Sequence, residues 1–308
     1  MAVKPKKRPK AKNINIRISR SDKVLFPAIG LTKGQMIAYY QDVSGFFIRY
    51  SANHPVTLHR FPNGIEGKDI YQKNVPKYFP GWIPTVNAAK KSGFVRMAMI
   101  NDVQTLTYLS NQAAIAYHLW LSGLADLHRP DRMIIDLDPP DQNFETVRAV
   151  AKKIRKIYDK LGLPCYLMTT GSKGLHIATP LKRQETFEEA KDFAKKIVEY
   201  IAGQCPETTL EIRKDNRKGR VFLDYLRNAY AQTAVAPYSL RALETAPVAT
   251  PILYEELEKP GFHSQWFHIS NIRQRLEKGD PWEDFHLNAV SLKNLAEALD
   301  NFQPRIPV

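Results

Sequence analysis

Apolar and polar positions along this chain follow two periods in turn. Residues 33–50 place Met36, Ile37, Tyr40, Val43, Phe46 and Phe47 three and four apart, which predicts an amphipathic helix. The run Val56-Thr57-Leu58-His59-Arg60-Phe61 is strand-like and stops at Pro62-Asn63-Gly64, a turn signal. Residues 94–99 and 104–109 read as a hairpin, and 111–123 as a helix opened by Asn111. From residue 132 the pattern runs strand, helix (144–161), strand (165–170), strand (174–179), helix (186–203), then strands around 208–213 and 220–225. Helical segments at 270–278 and 291–301 close the chain. The alternation predicts an α/β or α+β fold on a central sheet.

With 308 residues, 44% of them hydrophobic, the chain can bury a core as one large domain or two lobes. Its 45 Lys and Arg against 31 Asp and Glu give a net charge of +14, which favours a polyanionic partner such as nucleic acid. No apolar run approaches a membrane span, and the basic residues do not fall on one amphipathic helix face, so a membrane partner is not expected. Residues 1–13 are rich in Lys and Pro, lack the apolar core of a signal peptide, and predict a disordered basic tail. Two cysteines, Cys165 and Cys205, suit a reducing, cytoplasmic compartment without a disulfide framework.

The chemistry concentrates in three places. Met133-Ile134-Ile135-Asp136-Leu137-Asp138-Pro139-Pro140 is a short apolar strand that carries two aspartates at i and i+2 and stops at proline. Alternate strand residues share a face, so the two carboxylates repel unless a cation lies between them. A strand end with two solvated acids is the plainer account of the same residues; Mg²⁺ or Mn²⁺ ligands are the other. Arg220-Val221-Phe222-Leu223-Asp224-Tyr225 supplies a third acid, placed on the second arm of an expected hairpin after Asp215-Asn216-Arg217-Lys218-Gly219. Three such acids can hold two ions about 3.5–4 Å apart for nucleotidyl transfer. Between them lies Thr169-Thr170-Gly171-Ser172-Lys173-Gly174-Leu175-His176, whose glycines, hydroxyls and Lys173 suit phosphate oxygens without the spacing of a Walker A loop. Beyond Asp224, Arg227, Gln232 and Arg241 stand in a segment of little regular pattern that reads as a binding loop.

Several blocks together resemble the polymerase domain of bacterial ligase D and its stand-alone relatives in the archaeo-eukaryotic primase superfamily. They are Asp22-Lys23-Val24-Leu25-Phe26-Pro27, Gly30-Leu31-Thr32-Lys33-Gly34, Arg60-Phe61-Pro62-Asn63-Gly64, Tyr71-Gln72-Lys73, Asp136-Leu137-Asp138-Pro139-Pro140, the Thr170–His176 loop, and Asp224-Tyr225-Leu226-Arg227-Asn228 through Arg241. The resemblance implies a two-lobed primase-type catalytic core over residues 14–308, with a mixed central sheet flanked by helices. It implies a metal triad of Asp136, Asp138 and Asp224 with Mn²⁺ or Mg²⁺, and His118 as a further catalytic residue. Thr170, Ser172, Lys173, His176, Arg227, Gln232 and Arg241 would contact an NTP or dNTP. Lys23 and Lys33 would grip the 5′-phosphate of a downstream DNA end, with Arg60, Tyr71 and Lys73 on the same DNA-binding surface.

Two positions depart from the family pattern. His59-Arg60 stands where relatives often show Lys-Arg, and Ile70-Tyr71 where many place two aromatics against the template. Stacking on Tyr71 survives, since any base offers a π-face. The expected function is template-dependent nucleotidyl transfer on gapped or primer–template DNA in double-strand-break repair by non-homologous end joining. A Ku-like protein and a DNA ligase are the expected partners, in a nucleoid-associated setting. A primase that starts chains de novo would share the metal and nucleotide sites; a non-catalytic DNA-end-binding module would not need the acids. The chain is expected to be a stand-alone polymerase or one domain cut from a larger ligase.

Overall fold

The computed structural model describes residues 14–295 apart from Lys91, Gln142 and Asn294. The first strands, β1 (Val24–Phe26) and β2 (Leu31–Thr32), form a small antiparallel pair closed by Gly30 at φ 63°. Thr32 then starts α1 (Lys33–Asp42). Its hydroxyl accepts from the Gln35 N–H while the Gln35 side chain accepts from the Thr32 N–H. The single helix expected over 33–50 is two. Val43 leaves helical geometry (ψ 4°) ahead of Ser44-Gly45, a pair with weak helix propensity, and α2 (Ser44–Ser51) follows.

Four strands come next: β3 (Pro55–Arg60), β4 (Ile70–Gln72), β5 (Thr85–Ala89) and β6 (Phe94–Met99). The hairpin expected between 94–99 and 104–109 is absent, because β6 pairs with β5. Residues 104–109 belong to α3 (Val103–Asn111), started by the Asp102 carboxylate, which accepts from the Thr105 N–H at 2.7 Å. Left-handed Ala113 (φ 57°) follows, and β7 (Ala114–Trp120) replaces the helix expected over 111–123. β7 is buried on both faces, so its sequence lacks the alternation that separates strand from helix.

β8 (Arg132–Asp138), α4 (Phe144–Leu161), β9 (Tyr166–Thr169), β10 (Leu175–Pro180) and α5 (Phe187–Gln204) fall where their periods predict. Of the strand expected at 208–213, only β11 (Thr208–Thr209) is extended. It runs parallel to β12 (Val221–Asp224), so the two are not arms of a hairpin. The turn Lys214–Arg217 and left-handed Lys218 and Gly219 make the link a crossover. β13 (Thr233–Val235), β14 (Thr250–Ile252) and the five-residue α6 (Ile272–Leu276) complete the fold. The expected basic tail at 1–13 and most of the helix expected at 291–301 lie outside the described residues.

The strands make two six-stranded sheets in place of one central sheet. The first has the order β13-β7-β3-β6-β5, with β4 also paired to β3; the second runs β11-β12-β8-β10-β9-β14 and is mixed through its parallel β11–β12 pair. One hydrophobic cluster joins them, with Leu58 and Tyr117 from the first sheet, Ile135 and Ile177 from the second, and Ile154 and Ile197 from the covering helices. The chain is therefore α+β. Asp280 ties the later segments to α2: it accepts from the hydroxyls of Tyr50 and Tyr238 at 2.7 and 2.8 Å and pairs with Arg49 at 3.3 Å. Among the described residues no helix is long and apolar enough to cross a membrane.

The approach of β8 to β10 leaves no room at Gly174, where a Cβ would stand 2.2 Å from the Leu137 carbonyl oxygen. Gly174→Ala should therefore push the two strands apart and destabilise the protein by roughly 3 kcal/mol. Urea unfolding measures this, and an unchanged midpoint would show that the strand pair tolerates the separation.

Candidate active site

β8 is the middle of three strands whose register builds the site. Asp136 stands directly opposite His176 on β10 and opposite Asp224 on β12. Paired residues on antiparallel strands share a face, and Asp138 follows two positions along β8 on that same face. The three aspartates thus face one way. Asp136 is buried, Asp224 partly buried and Asp138 half exposed.

Two arginines hold these acids. Arg227 Nε donates to Asp136 Oδ2 at 2.7 Å and lies 3.5 Å from Asp224 Oδ2; Arg217 Nη1 donates to Asp138 Oδ2 at 2.7 Å. Arg217 also rests over the Phe222 ring, 4.3 Å from its centroid. His176 Nε2 is 3.6 Å from Asp136 Oδ2. Burial alone would push the Asp136 carboxyl up, but His176 and Arg227 override it and hold it well below the usual carboxylate range. Asp224 goes the other way. Its burial raises it, Arg227 only partly offsets this, and the charge on Asp136 adds to the rise.

Facing the acids is the Thr170–Gly174 loop. Gly171 is left-handed (φ 65°), and a Cβ there would meet the Arg241 side chain at 2.9 Å. Arg241 Nη1 donates to the Thr170 carbonyl at 2.8 Å. The Thr170 hydroxyl turns inward. It accepts from the N–H groups of Ser172 and Gly174 at 3.3 and 3.2 Å and lies 3.3 Å from Ser264 Oγ. Ser264 in turn donates to the Gly174 carbonyl at 2.7 Å, and Gln265 Nε2 to the Ser172 carbonyl at 2.9 Å. The loop is braced from outside, and Ser172 and Lys173 stand at its tip.

A cavity of about 200 Å³ lies between these walls. It brings together His118, Asp136, Asp138, Thr170, Ser172, Lys173, His176, Arg227 and Arg241. Asp224 is not among its lining residues and lies 3.5 Å from Arg227, which is. Gln232 does not line it: the residue is exposed, and its backbone N–H donates to the Ala229 carbonyl. His118 lies on β7, opposite Thr57 and Val235, and not on a helix. Its Nε2 and the Nδ1 of His176 are buried ring nitrogens without a partner among the described residues.

Of the expected DNA-facing residues, Tyr71 and Lys73 are exposed, Lys23 and Arg60 partly so, and Lys33 is buried. Tyr71 is 60% exposed and stacks on His59 at 3.8 Å and 18°. Its ring is 6.1 Å from that of His118, which carries the platform to the cavity wall. His59 Nε2 meets Asp69 Oδ2 at 2.6 Å. Arg60 bonds the Gln112 carbonyl and Gln72, and Lys73 is exposed. Lys23 Nζ donates to the Pro62 carbonyl and Asn63, and the buried Lys33 Nζ to Ser19 Oγ and the Asn111 carbonyl, both at 3.1 Å. An ammonium has three N–H donors, so each retains one for an anion.

Sequence reasoning gave no role to Arg217, Ser264, Gln265 or Asp69. Arg217 lies in a basic stretch that stood out, but its reach to Asp138 depends on the crossover between β11 and β12. Ser264 and Gln265 act across ninety residues of chain or more, and no local signal marks them.

The aspartates suit a hard divalent ion in donor type and in shared face. Among the described residues, no three acidic, His or Cys side chains converge as a ready cluster, because the guanidinium groups stand where a cation would. Acids on paired strand ends beside a basic glycine loop, with an exposed aromatic platform next to them, define a polyphosphate-handling site of the nucleotidyltransferase kind. The family model for the LigD primase-polymerase domain matches residues 32–282, and the chain belongs to that family. It is 32% identical over 281 residues to the multifunctional non-homologous end joining protein LigD of Pseudomonas aeruginosa, covering 90% of this chain and 33% of that protein. It is 31% identical over 277 residues to the bifunctional non-homologous end joining protein LigD of Bacillus subtilis, covering 89% and 44%. The chain thus spans less than half the length of these relatives. The solved polymerase domain of Mycobacterium tuberculosis ligase D, in complex with DNA, superposes with a TM-score of 0.83 at 29% identity, covering 90% of this chain and 99% of that one.

Burial, followed by the charges of Arg241 and His59, pushes His118 from the ordinary 6.5 down to about 3. The folded ring then refuses a proton that the unfolded chain accepts. His118 removes stability as pH falls from 6.5 toward 3, by up to roughly 1.4 kcal/mol per pH unit. Urea midpoints between pH 6 and 4 should fall more steeply for the wild type than for His118→Gln. Parallel curves would show that the ring is already solvated.

Proposed function

We propose that this chain adds nucleotides to 3′ ends at broken DNA, filling gaps and extending ends during non-homologous end joining. The observation that carries the reading is the register that sets Asp224, Asp136 and His176 side by side, with Asp136 and His176 lining one cavity together with the Thr170–Gly174 loop. The names of the LigD relatives and the DNA in the solved one support the pathway and the substrate. A Ku-like protein and a DNA ligase are the partners this pathway requires, and a cytoplasmic, nucleoid-associated location follows from it.

When bound, Mn²⁺ or Mg²⁺ would lower the pKa of the attacking 3′-hydroxyl and neutralise triphosphate charge, with Asp136, Asp138 and Asp224 as the residues to hold it. The chain's own groups do the rest. Lys173 and Arg241 supply cations to the triphosphate, Arg241 while bracing the loop from behind. The rings of His176 and His118 line the cavity where a nucleotide, NTP or dNTP, would lie, and burial keeps the His118 ring neutral there. Tyr71, held flat by His59, offers the template a stacking face. Lys23 and Lys33 direct their remaining N–H donors at a 5′-phosphate beyond the gap.

Asp138→Asn tests the acids, because that side chain is 45% exposed and an asparagine oxygen still accepts from the buried Arg217, which also donates to the Glu211 and Ile212 carbonyls. Templated incorporation should fall roughly a hundredfold or more while the melting temperature holds. Retained incorporation would remove the acids from the site.

A second measurement tests the end-repair reading. Binding of a recessed duplex with 5′-phosphate should exceed that of the same duplex with 5′-hydroxyl by about tenfold, or roughly 1.4 kcal/mol. Lys23→Ala should erase most of that difference and leave extension of an open primer–template intact. Equal binding of both ends by the wild type would favour a primase that starts chains without a downstream end.

A further inference from the structure

A second cleft, of about 430 Å³, opens at the other end of β8, between the end of α2 and the turn after β10. Arg132 starts β8 and Asp138 ends it. The strand rise from Arg132 to Asp136 and Asp138 puts this cleft about 13 to 20 Å from the carboxylates. Its walls carry Arg49, Lys182 and Arg183, with the Arg132 guanidinium buried behind them.

The carboxylates nearby do not neutralise these cations. Asp131 is 3% exposed and shared by three groups: His54 Nε2 at 2.8 Å, Arg132 Nε at 2.9 Å and Arg183 Nη2 at 3.3 Å. Asp280 takes Arg49 at 3.3 Å but also two tyrosine hydroxyls. Two buried carboxylates thus serve three arginines, and Lys182 touches neither. Arg49 and Arg183 remain 41% and 44% exposed, and the exposed Lys182 ammonium has no partner among the described residues. Two non-glycine residues in left-handed conformation, Asn53 (φ 63°) and Arg183 (φ 57°), shape the opposing walls. Such backbone strain persists where the surroundings hold it in place, and it gathers at ligand clamps.

We propose that this cleft holds a backbone phosphate of the nucleic acid strand, away from the catalytic cavity. Two arginine forks and a lysine reaching from opposite walls suit phosphodiester oxygens. At 3.4 Å per step, about 13 to 20 Å is roughly four to six nucleotides from the reacting end. The cleft would set the register and angle of the strand without reading its sequence. This rests on the reading that the chain works on nucleic acid.

The experiment compares wild type with Arg49→Gln/Lys182→Gln/Arg183→Gln, using fluorescence anisotropy on a primer–template with a long duplex and a long overhang. Salt is varied and melting temperature is checked alongside. The variant should bind DNA about fivefold more weakly, and the slope of log K against log salt should shrink by about one unit per lost phosphate contact. Incorporation at saturating DNA should not change. If the triple variant melts early, Lys182→Glu alone carries the test, since that side chain is exposed and its reversal should weaken DNA binding by a similar factor. Affinity and slope equal to wild type would overturn the proposal. So would titration calorimetry showing tight binding of inorganic phosphate that the variant loses while DNA binding stays intact, because that marks a site for a free anion. A wild type that binds no DNA at all would sink the broader reading, whereas DNA binding indifferent to these residues sinks only the cleft.

Discussion

Asp136 lies almost fully buried in the central strand of the second sheet, where an ionised carboxylate costs several kcal/mol unless it is paired. Its neighbours answer that cost in a fixed geometry. His176 flanks it on one side, and Arg227 reaches it from the turn after β12. Asp224, opposite on β12, adds a second negative charge that the same arginine has to share. The site is therefore strained electrostatically along one edge and balanced along the other. That tension makes the acids responsive to any added cation.

A second constraint is steric. The glycine loop sits so close to its surroundings that Gly174 meets the β8 backbone and Gly171 meets Arg241. Closeness of this kind lets backbone N–H groups and Lys173 face the acids across a narrow cavity. It also explains why Thr170 uses its hydroxyl on the loop itself, leaving Ser172 and Lys173 at the tip.

Much of this was legible in the chain, and for physical reasons. α4 and α5 have strong amphipathic periods and capping residues at Asn143 and Thr186, and they fall where the pattern puts them. The i, i+2 spacing of Asp136 and Asp138 fixes their common face. What failed was the stretch from 104 to 123. The alternating Thr and Leu of α3 imitate a strand, and the doubly buried β7 imitates a helix, so the two exchange identities. Asp102, an N-cap, was the signal that should have prevented it. The register of β8 against β10 and β12, and the reach of Arg217, come from tertiary packing and leave no local trace.

Asp280 bears on how this unit travels between proteins. It gathers Tyr50 from α2, Tyr238 from the stretch leading to Arg241, and Arg49 onto one carboxylate. A fragment that stopped short of it would leave two buried phenols and a guanidinium without their acceptor, close to the segment that braces the glycine loop. The smallest portable form of the catalytic unit therefore includes the loop after α6, and a fusion joint between this unit and another domain belongs beyond that point.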